Sequence, residues 1–253
     1  YTVTGWSGSK GAATKFDKDD YYWTMGKCRE IEDVIKKHCA IMDEYDPKKH
    51  VALMLDEWGT WWDEEPGTIP GHLYQQNTLR DAFVASLSFI FHKYTDRLKM
   101  ANIAQIVNVL QSMILTKGKD MVLTPTYYVF KMYNVHQDAT YLPLDLNCEV
   151  MDVRDNRKVP MVSATASKDK DGKIHISMSN IDADNAQEIT INLPDVKAKK
   201  AVGEILTSAN LTDYNSFENP NNIKLAPFKE VKINKGVLKI KLPAKSIVTI
   251  ELQ

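Results

Sequence analysis

The sequence predicts an α/β segment built on (β/α) grammar, followed by an antiparallel β-sandwich. Three observations carry this. Up to about residue 142, helical apolar periods alternate with short uninterrupted apolar runs. From about residue 145 the apolar period switches to two and aromatic residues thin out. Turn signals then recur between the alternating runs, at Lys170-Asp171-Gly172 and Asn219-Pro220-Asn221-Asn222. The expected boundary divides residues 1–142 from residues 143–253.

Residues 1–16, rich in Gly, Ser and Thr, read as a loop. Residues 17–46 read as one long helix. Ile31, Val34, Ile35, His38, Cys39, Ile41, Met42 and Tyr45 keep the rhythm of a buried helical face. Asp17, Asp19 and Asp20 favour its N-terminus, and Pro47 stops it. Val51 to Leu55 form an unbroken apolar run, the pattern of a parallel strand buried on both faces. A Pro- and Gly-rich loop over 63–71 precedes a helix at about 75–93, with Leu79, Phe83, Val84, Leu87 and Phe91 on its apolar face. Residues 97–105 read as a short strand leading into a helix at about 106–115. Residues 124–137 read as a further helix with Pro125 near its start. In the tail, Ile174, Ile176 and Met178 share one strand face, as do Ile189, Ile191 and Leu193. "GVLKIKL" and "SIVTIEL" supply two more strands. The first segment offers only two clear parallel strands, whereas a closed eight-stranded barrel takes roughly 250 residues. Any barrel here is the closing part of one.

Composition narrows the function classes. Among 253 residues the formal net charge is −1, which suggests neither nucleic acid nor an anionic membrane as partner. No apolar run approaches the ~20 residues that span a bilayer. Cys28, Cys39 and Cys148 are odd in number and widely spaced, so neither a disulfide framework nor a zinc knuckle fits them. No cofactor motif and no metal site is read. The chain begins at Tyr1 without a signal sequence, so its compartment, cytoplasmic or exported, is not legible.

The stretch "VALMLDEWGTWWDEEPG" carries the chemistry. A strand running into Asp56 and Glu57 ends where parallel α/β folds collect reacting groups. Neighbouring strand residues point to opposite faces, so one acid should face the site and the other the shell. Trp58 and Trp61 beside Glu57 suit a sugar, whose C–H face packs on flat rings while polar groups take its hydroxyls. The plainer alternative makes Asp56 a cap and Glu57 a solvated loop acid. His38 reads as a core residue and His136 as structural. Glu64 and Glu65 read as solvated loop acids, either of which could reach an outer sugar.

Three segments in order, "LDEWGTWWDEEPGTIPGHLYQQNTLRDAFVA", "DRLKMANIAQIVNVLQSMIL" and "VLTPTYYVFKMYNVHQDA", resemble the α-L-arabinofuranosidases of glycoside hydrolase family 51. The likeness covers nearly the whole chain and is densest from Val51 to Ala139. It implies a (β/α)8 TIM barrel followed by a jelly-roll-like antiparallel β-sandwich. It also implies release of terminal arabinofuranosyl groups from arabinan- or arabinoxylan-type glycans with retention, and no cofactor. Retention uses two carboxyl groups ~5–5.5 Å apart, one as nucleophile and one as acid/base. By resemblance Glu57 is the nucleophile. The role requires its carboxylate form, so donors or cations are expected around it. Tyr1, Trp61 and Gln105 match positions that contact the sugar. Tyr1, at a free terminus here, is expected to be disordered if nothing precedes it.

The resemblance also implies an acid/base Glu after an Asn, well upstream of the nucleophile. No Asn-Glu pair precedes Glu57. The chain is therefore expected to be the C-terminal portion of such an enzyme, inactive alone. Its open barrel edge is expected to promote homo-oligomers or low solubility. Two alternatives stay open: a non-catalytic carbohydrate-binding or assembly module, and a retaining barrel glycosidase acting on another sugar.

Overall fold

The structure, a computed structural model, describes residues 1–5, 8–66, 68, 75–194 and 196–253. Asp17 opens the first helix, its side chain accepting from the Asp20 amide at 2.9 Å. The single long helix expected over 17–46 is two: α1, Lys18–Arg29, and α2, Ile31–Tyr45. They meet at Glu30, whose carboxylate is held by Lys27 and Arg157, each at 2.6 Å. α1 buries Tyr21, Met25 and Cys28. α2 buries only Ile31 and Ile35. Its expected core face stays open: Val34, Ile41 and Tyr45 are exposed. His38 is exposed too, with Nδ1 2.8 Å from the Val34 carbonyl, so it is not the core residue expected.

Strand β1, Leu53–Trp58, pairs in parallel with β2, Leu98–Ile103. β1 extends through Asp56 and Glu57 to Trp58. It is not buried on both faces. Met54 and its register partner Met100 are both exposed. Residues 1–3 run beside the end of β1: Thr2 bridges Gly59 in parallel, and Val3 N donates to Gly59 O at 3.0 Å. Buried Arg97 anchors the start of β2, donating to Asp46 and to the Val51 carbonyl, both at 2.9 Å.

α3, Leu79–Ser88, is entirely buried and continues as a 3-10 turn over Phe89–Tyr94. Part of the expected 63–71 loop, at 67 and 69–71, lies outside the described residues. No helix forms at 106–115. Asn108 and Leu110 take left-handed backbone (φ 62 and 55), which a helix does not allow. The amides of Gln105 and Gln111 turn back onto Val109 O and Ala104 O instead. A hairpin follows, β3 (Ile114–Lys117) with β4 (Asp120–Leu123), and then α4, Pro125–Tyr133, with Pro at its first turn as expected.

The rest is antiparallel. β5 (Thr140–Leu142), β8 (Val162–Lys168), β9 (Ile174–Asn180), β11 (Ala201–Thr207), β12 (Ala226–Phe228) and β15 (Ser246–Leu252) form a six-stranded sheet in the order β12-β11-β15-β9-β8-β5. β10 (Gln187–Asn192), β13 (Val231–Asn234) and β14 (Val237–Leu242) form a three-stranded sheet, and β6 (Val150–Val153) pairs with β7 (Arg157–Pro160). Ile176, Met178, Val248 and Ile250 from the large sheet pack with Leu238, Ile240 and Leu242 from the small one, the alternating inner faces of a sandwich. The opposite face of β9 is buried as well. Ser179 donates to Ser86 of α3 at 2.8 Å, and Ser177 shares a 2.8 Å bond with His136 just after α4. Hydroxyls and imidazoles here satisfy one another across the contact between helices and sandwich.

Candidate active site

At the C-terminal end of β1 lies a cavity of about 190 Å3, lined by Tyr1, Thr2, Glu57, Trp58, Gly59, Thr60, Trp61, Ala104 and Leu110. Three of the four residues singled out from sequence meet here: Tyr1, Glu57 and Trp61. Glu57 is exposed and, among the described residues, supplies the one carboxylate of the lining. Among the described residues no donor reaches that carboxylate, so the donors or cations expected around it are not found there. Gln105 is exposed beside Ala104, one residue beyond the lining.

Tyr1 is tied to two other elements. Its main-chain nitrogen donates to Glu57 O at 2.8 Å and its hydroxyl to Lys27 O at 2.7 Å. Burial first, then the Cys28 thiol and Glu30 carboxyl, push its phenol above the ordinary range. Tyr1 thus ties the end of β1 to the end of α1.

The tryptophans divide by role. The Trp58 ring is buried, edge-on to Phe91 at 5.5 Å and stacked on Phe130 at 6.2 Å, so it is a core residue rather than a sugar platform. Trp62 is buried too. Trp61 alone of the three is half-buried beside the cavity, with Lys10 Nζ 4.6 Å from its ring centre. Both main-chain groups of Trp61 end on one hydroxyl. Thr4 Oγ1 accepts from Trp61 N at 3.1 Å and donates to Trp61 O at 2.6 Å.

Sequence reasoning missed the polar network beneath this loop. Asp81, buried in the first turn of α3, accepts from Thr60 Oγ1 and Trp62 Nε1, both at 2.8 Å, on one oxygen. Its other oxygen accepts from Thr78 N at 2.8 Å, closing a capping box. Gln111 Oε1 accepts from Thr60 N at 3.0 Å, and its amide nitrogen donates to Asp81 O at 2.7 Å. Gln75 Oε1 accepts from Trp62 N at 2.9 Å. Gly59 takes φ 148, a backbone conformation that L side chains rarely adopt, and packs closely on Gln111. A Cβ there would lie 3.3 Å from Gln111 Oε1. The one sequence signal for this network was the Thr-x-x-Asp cap at 78–81.

The set-aside acids and histidine fall as follows. Glu65 accepts from Thr14 N at 3.0 Å and Thr14 Oγ1 at 2.9 Å, so it is not a free solvated acid, whereas Glu64 is exposed. His136 is buried between Ser167 and Ser177 hydroxyls, at 2.7 and 2.8 Å. Among the described residues no group of three or more His, Cys, Asp or Glu side chains could hold a metal ion. Among them too, no helix is long and apolar enough to cross a membrane.

A carboxylate on a parallel strand end, beside a half-buried indole and a small cavity, is a geometry suited to covalent attack at a sugar carbon. Comparison with known proteins bears on which one. Residues 56–246 match the family model described as the α-L-arabinofuranosidase C-terminal domain. The chain is 83% identical, over its whole length and 49% of that protein, to an intracellular exo-α-L-arabinofuranosidase of Bacteroides ovatus. It is 25% identical to an exo-α-(1→6)-L-arabinofuranosidase of Bifidobacterium longum, over 84% of this chain and 44% of that protein. The crystal structure of the family 51 arabinofuranosidase from Xanthomonas axonopodis pv. citri superposes with a TM-score of 0.96 at 44% identity, over all of this chain and 52% of that one. This chain therefore spans about half the length of the relatives it matches. With the family model matching most of its length and the fold shared throughout, the chain belongs to the α-L-arabinofuranosidases of glycoside hydrolase family 51, corresponding to their C-terminal portion.

Proposed function

We propose that this chain supplies the nucleophile half of a retaining exo-α-L-arabinofuranosidase, acting on arabinose-containing oligo- or polysaccharides. Glu57 attacks the anomeric carbon and forms a glycosyl ester, which water then hydrolyses. Trp61 packs on the furanose, Tyr1 fixes the nucleophile strand and borders the ring, and Gln105 reaches a sugar hydroxyl from the end of β2. Residues 1–142 act as the closing part of the barrel and residues 143–253 as the sandwich unit that covers its helices. The observation that carries the reading is the exposed Glu57 carboxylate lining a cavity with Trp61 at a parallel strand end.

A leaving group needs a proton, worth ~10²–10⁴-fold in rate. No second carboxylate lines the Glu57 cavity among the described residues. The 253-residue chain is therefore inactive alone, and the active species joins it to upstream sequence of the kind its relatives carry. Names among those relatives differ in linkage, so the linkage remains for assay. The test is a fusion of this chain behind the N-terminal half of the Bacteroides ovatus relative, assayed on an aryl α-L-arabinofuranoside. Release of arabinose by the fusion, its absence with the chain alone, and its loss in Glu57→Gln support the reading. Undiminished activity of Glu57→Gln rejects Glu57 as nucleophile. A fusion that cleaves other aryl glycosides but not the arabinofuranoside rejects the substrate.

A further inference from the structure

The cavity at the end of β1 draws its walls from separate stretches of chain. Residues 57–61 belong to β1 and the loop after it, whereas Ala104 and Leu110 follow β2. The ladder between the two strands ends where Trp58 faces Ile103, and Ala104 N donates to Trp58 O at 2.9 Å. Beyond that point the Gln111 side chain spans the two stretches. Gln111 is buried and does not line the cavity.

A primary amide carries an acceptor and two donors at one tip, and Gln111 uses all three. Oε1 accepts from Thr60 N at 3.0 Å, on the first wall. The nitrogen donates to Asp81 O at 2.7 Å in the first turn of α3, and to Thr126 Oγ1 at 3.2 Å in the first turn of α4. The main-chain nitrogen of Gln111 donates to Ala104 O at 3.0 Å, on the second wall. Gly59 packs on the same side chain: a Cβ there would meet Oε1 at 3.3 Å and the Gln111 Cβ at 3.4 Å. Gly59 and Thr60 lie between Glu57 and Trp61, so a shift of Gln111 is passed to both ends of that stretch.

We propose that Gln111 is a positioning residue that sets the spacing of the Glu57–Trp61 stretch against Ala104 and Gln105, and with it the fit of the sugar between them. It acts through Thr60 and Gly59 and does not touch the substrate. Two helix starts fix its amide, so the spacing is inherited from the rigid part of the fold rather than from the loops themselves. A methionine at 111 would fill the same space and hold neither Thr60 nor the helix starts. Misplacing a reacting group by about 1 Å is enough to cost ~10²-fold in rate. The inference rests on the function proposed above.

The test compares the parent fusion with Gln111→Met and Asn180→Leu on an aryl α-L-arabinofuranoside. Working sites are first counted with a fluorinated arabinofuranosyl reagent that traps the glycosyl ester. Asn180 is a buried amide of the sandwich, donating to Asn185 O and Pro243 O, both at 2.9 Å, so its loss controls for lost stability alone. Per working site, Gln111→Met is expected to raise KM and to lower kcat/KM about 10²-fold. Asn180→Leu is expected to give fewer working sites, each with the KM and kcat of the parent. A Gln111→Met variant that matches the parent per working site overturns the proposal, as does an equal rise of KM in Asn180→Leu. If Gln111→Met does not fold, Thr126→Ala decides. It removes one partner of the amide and is expected to raise KM about threefold, the scale of one neutral hydrogen bond, and an unchanged KM overturns the proposal. A parent fusion that releases no arabinose rejects the function proposed above and this inference with it. An active parent with unchanged variants rejects this inference alone.

Discussion

The indole nitrogen of Trp62 donates to the carboxylate of Asp81 at 2.8 Å, which joins the loop after β1 to the first turn of the buried helix α3. Thr60 shares the same oxygen, and the other oxygen caps the helix. One buried carboxylate thus holds both the loop and the helix start.

Asp81→Ala is expected to cost about 2–4 kcal/mol, because it strands several buried donors at once. Urea denaturation of the 253-residue chain measures this. A loss below about 0.5 kcal/mol, the size of an ordinary surface substitution, would mean that water replaces the carboxylate and that the loop is held elsewhere.

Glu57→Gln should separate stability from activity. The side chain is exposed, and no described donor bonds its carboxylate, so stability should change by no more than about 0.5 kcal/mol. In the active fusion the rate should fall on the order of 10⁴–10⁶-fold, as when a covalent nucleophile is removed. A large stability change would reveal a structural role for the acid.

Gly59→Ala introduces a side chain at φ 148 against Gln111. A cost of about 1–3 kcal/mol is expected, with a lower rate in the fusion, because the loop must shift to make room. A thermal melt equal to the parent's would count against this tight approach.

Burial lowers the pKa of His92 to about 4, and burial, with His92 and His175 nearby, lowers that of His136 to about 3. Both rings are neutral in the fold and bind protons more readily when unfolded. Their contribution is complete above about pH 6.5 and is lost as the pH falls toward 4 for His92 and 3 for His136. The upper limit is about 1.4 kcal/mol per pH unit for each ring. Denaturation at pH 7.5, 5.5 and 4.5 should show stability falling with acid, and His136→Asn should flatten the slope. A pH-independent midpoint would rule out these rings as the source.

Exposed Met54 and Met100 lie side by side on β1 and β2, and Val51, Ile106 and Val107 are exposed too. Such a surface favours association. Sedimentation of the isolated chain is expected to show multimers that Met54→Lys with Met100→Lys reduces. A concentration-independent monomer would contradict this.

Much of this architecture was legible. The apolar run before Asp56-Glu57 marked the parallel strand, the pattern from Leu79 to Phe91 marked α3, and the period-two tail marked the sandwich. The misreadings have physical causes. Val34, His38 and Ile41 keep helical spacing on α2, but spacing does not say whether anything lies opposite. Trp58 and Trp61 look alike in sequence. Strand alternation sends the first into the core, and the turn at Gly59 brings the second beside the cavity. Asp81 and Gln111 stayed hidden because their partners are far along the chain, Gln111 lying 51 residues from Thr60. No local pattern encodes such a bond.

The Thr4 hydroxyl that closes on both main-chain groups of Trp61 has a further consequence. The half-buried indole beside the cavity is steered from a different stretch of chain than the one that carries Glu57. A valine at position 4 would keep the shape yet lose both bonds. Trp61 would then lose two main-chain anchors at once, both on one oxygen contributed from outside β1.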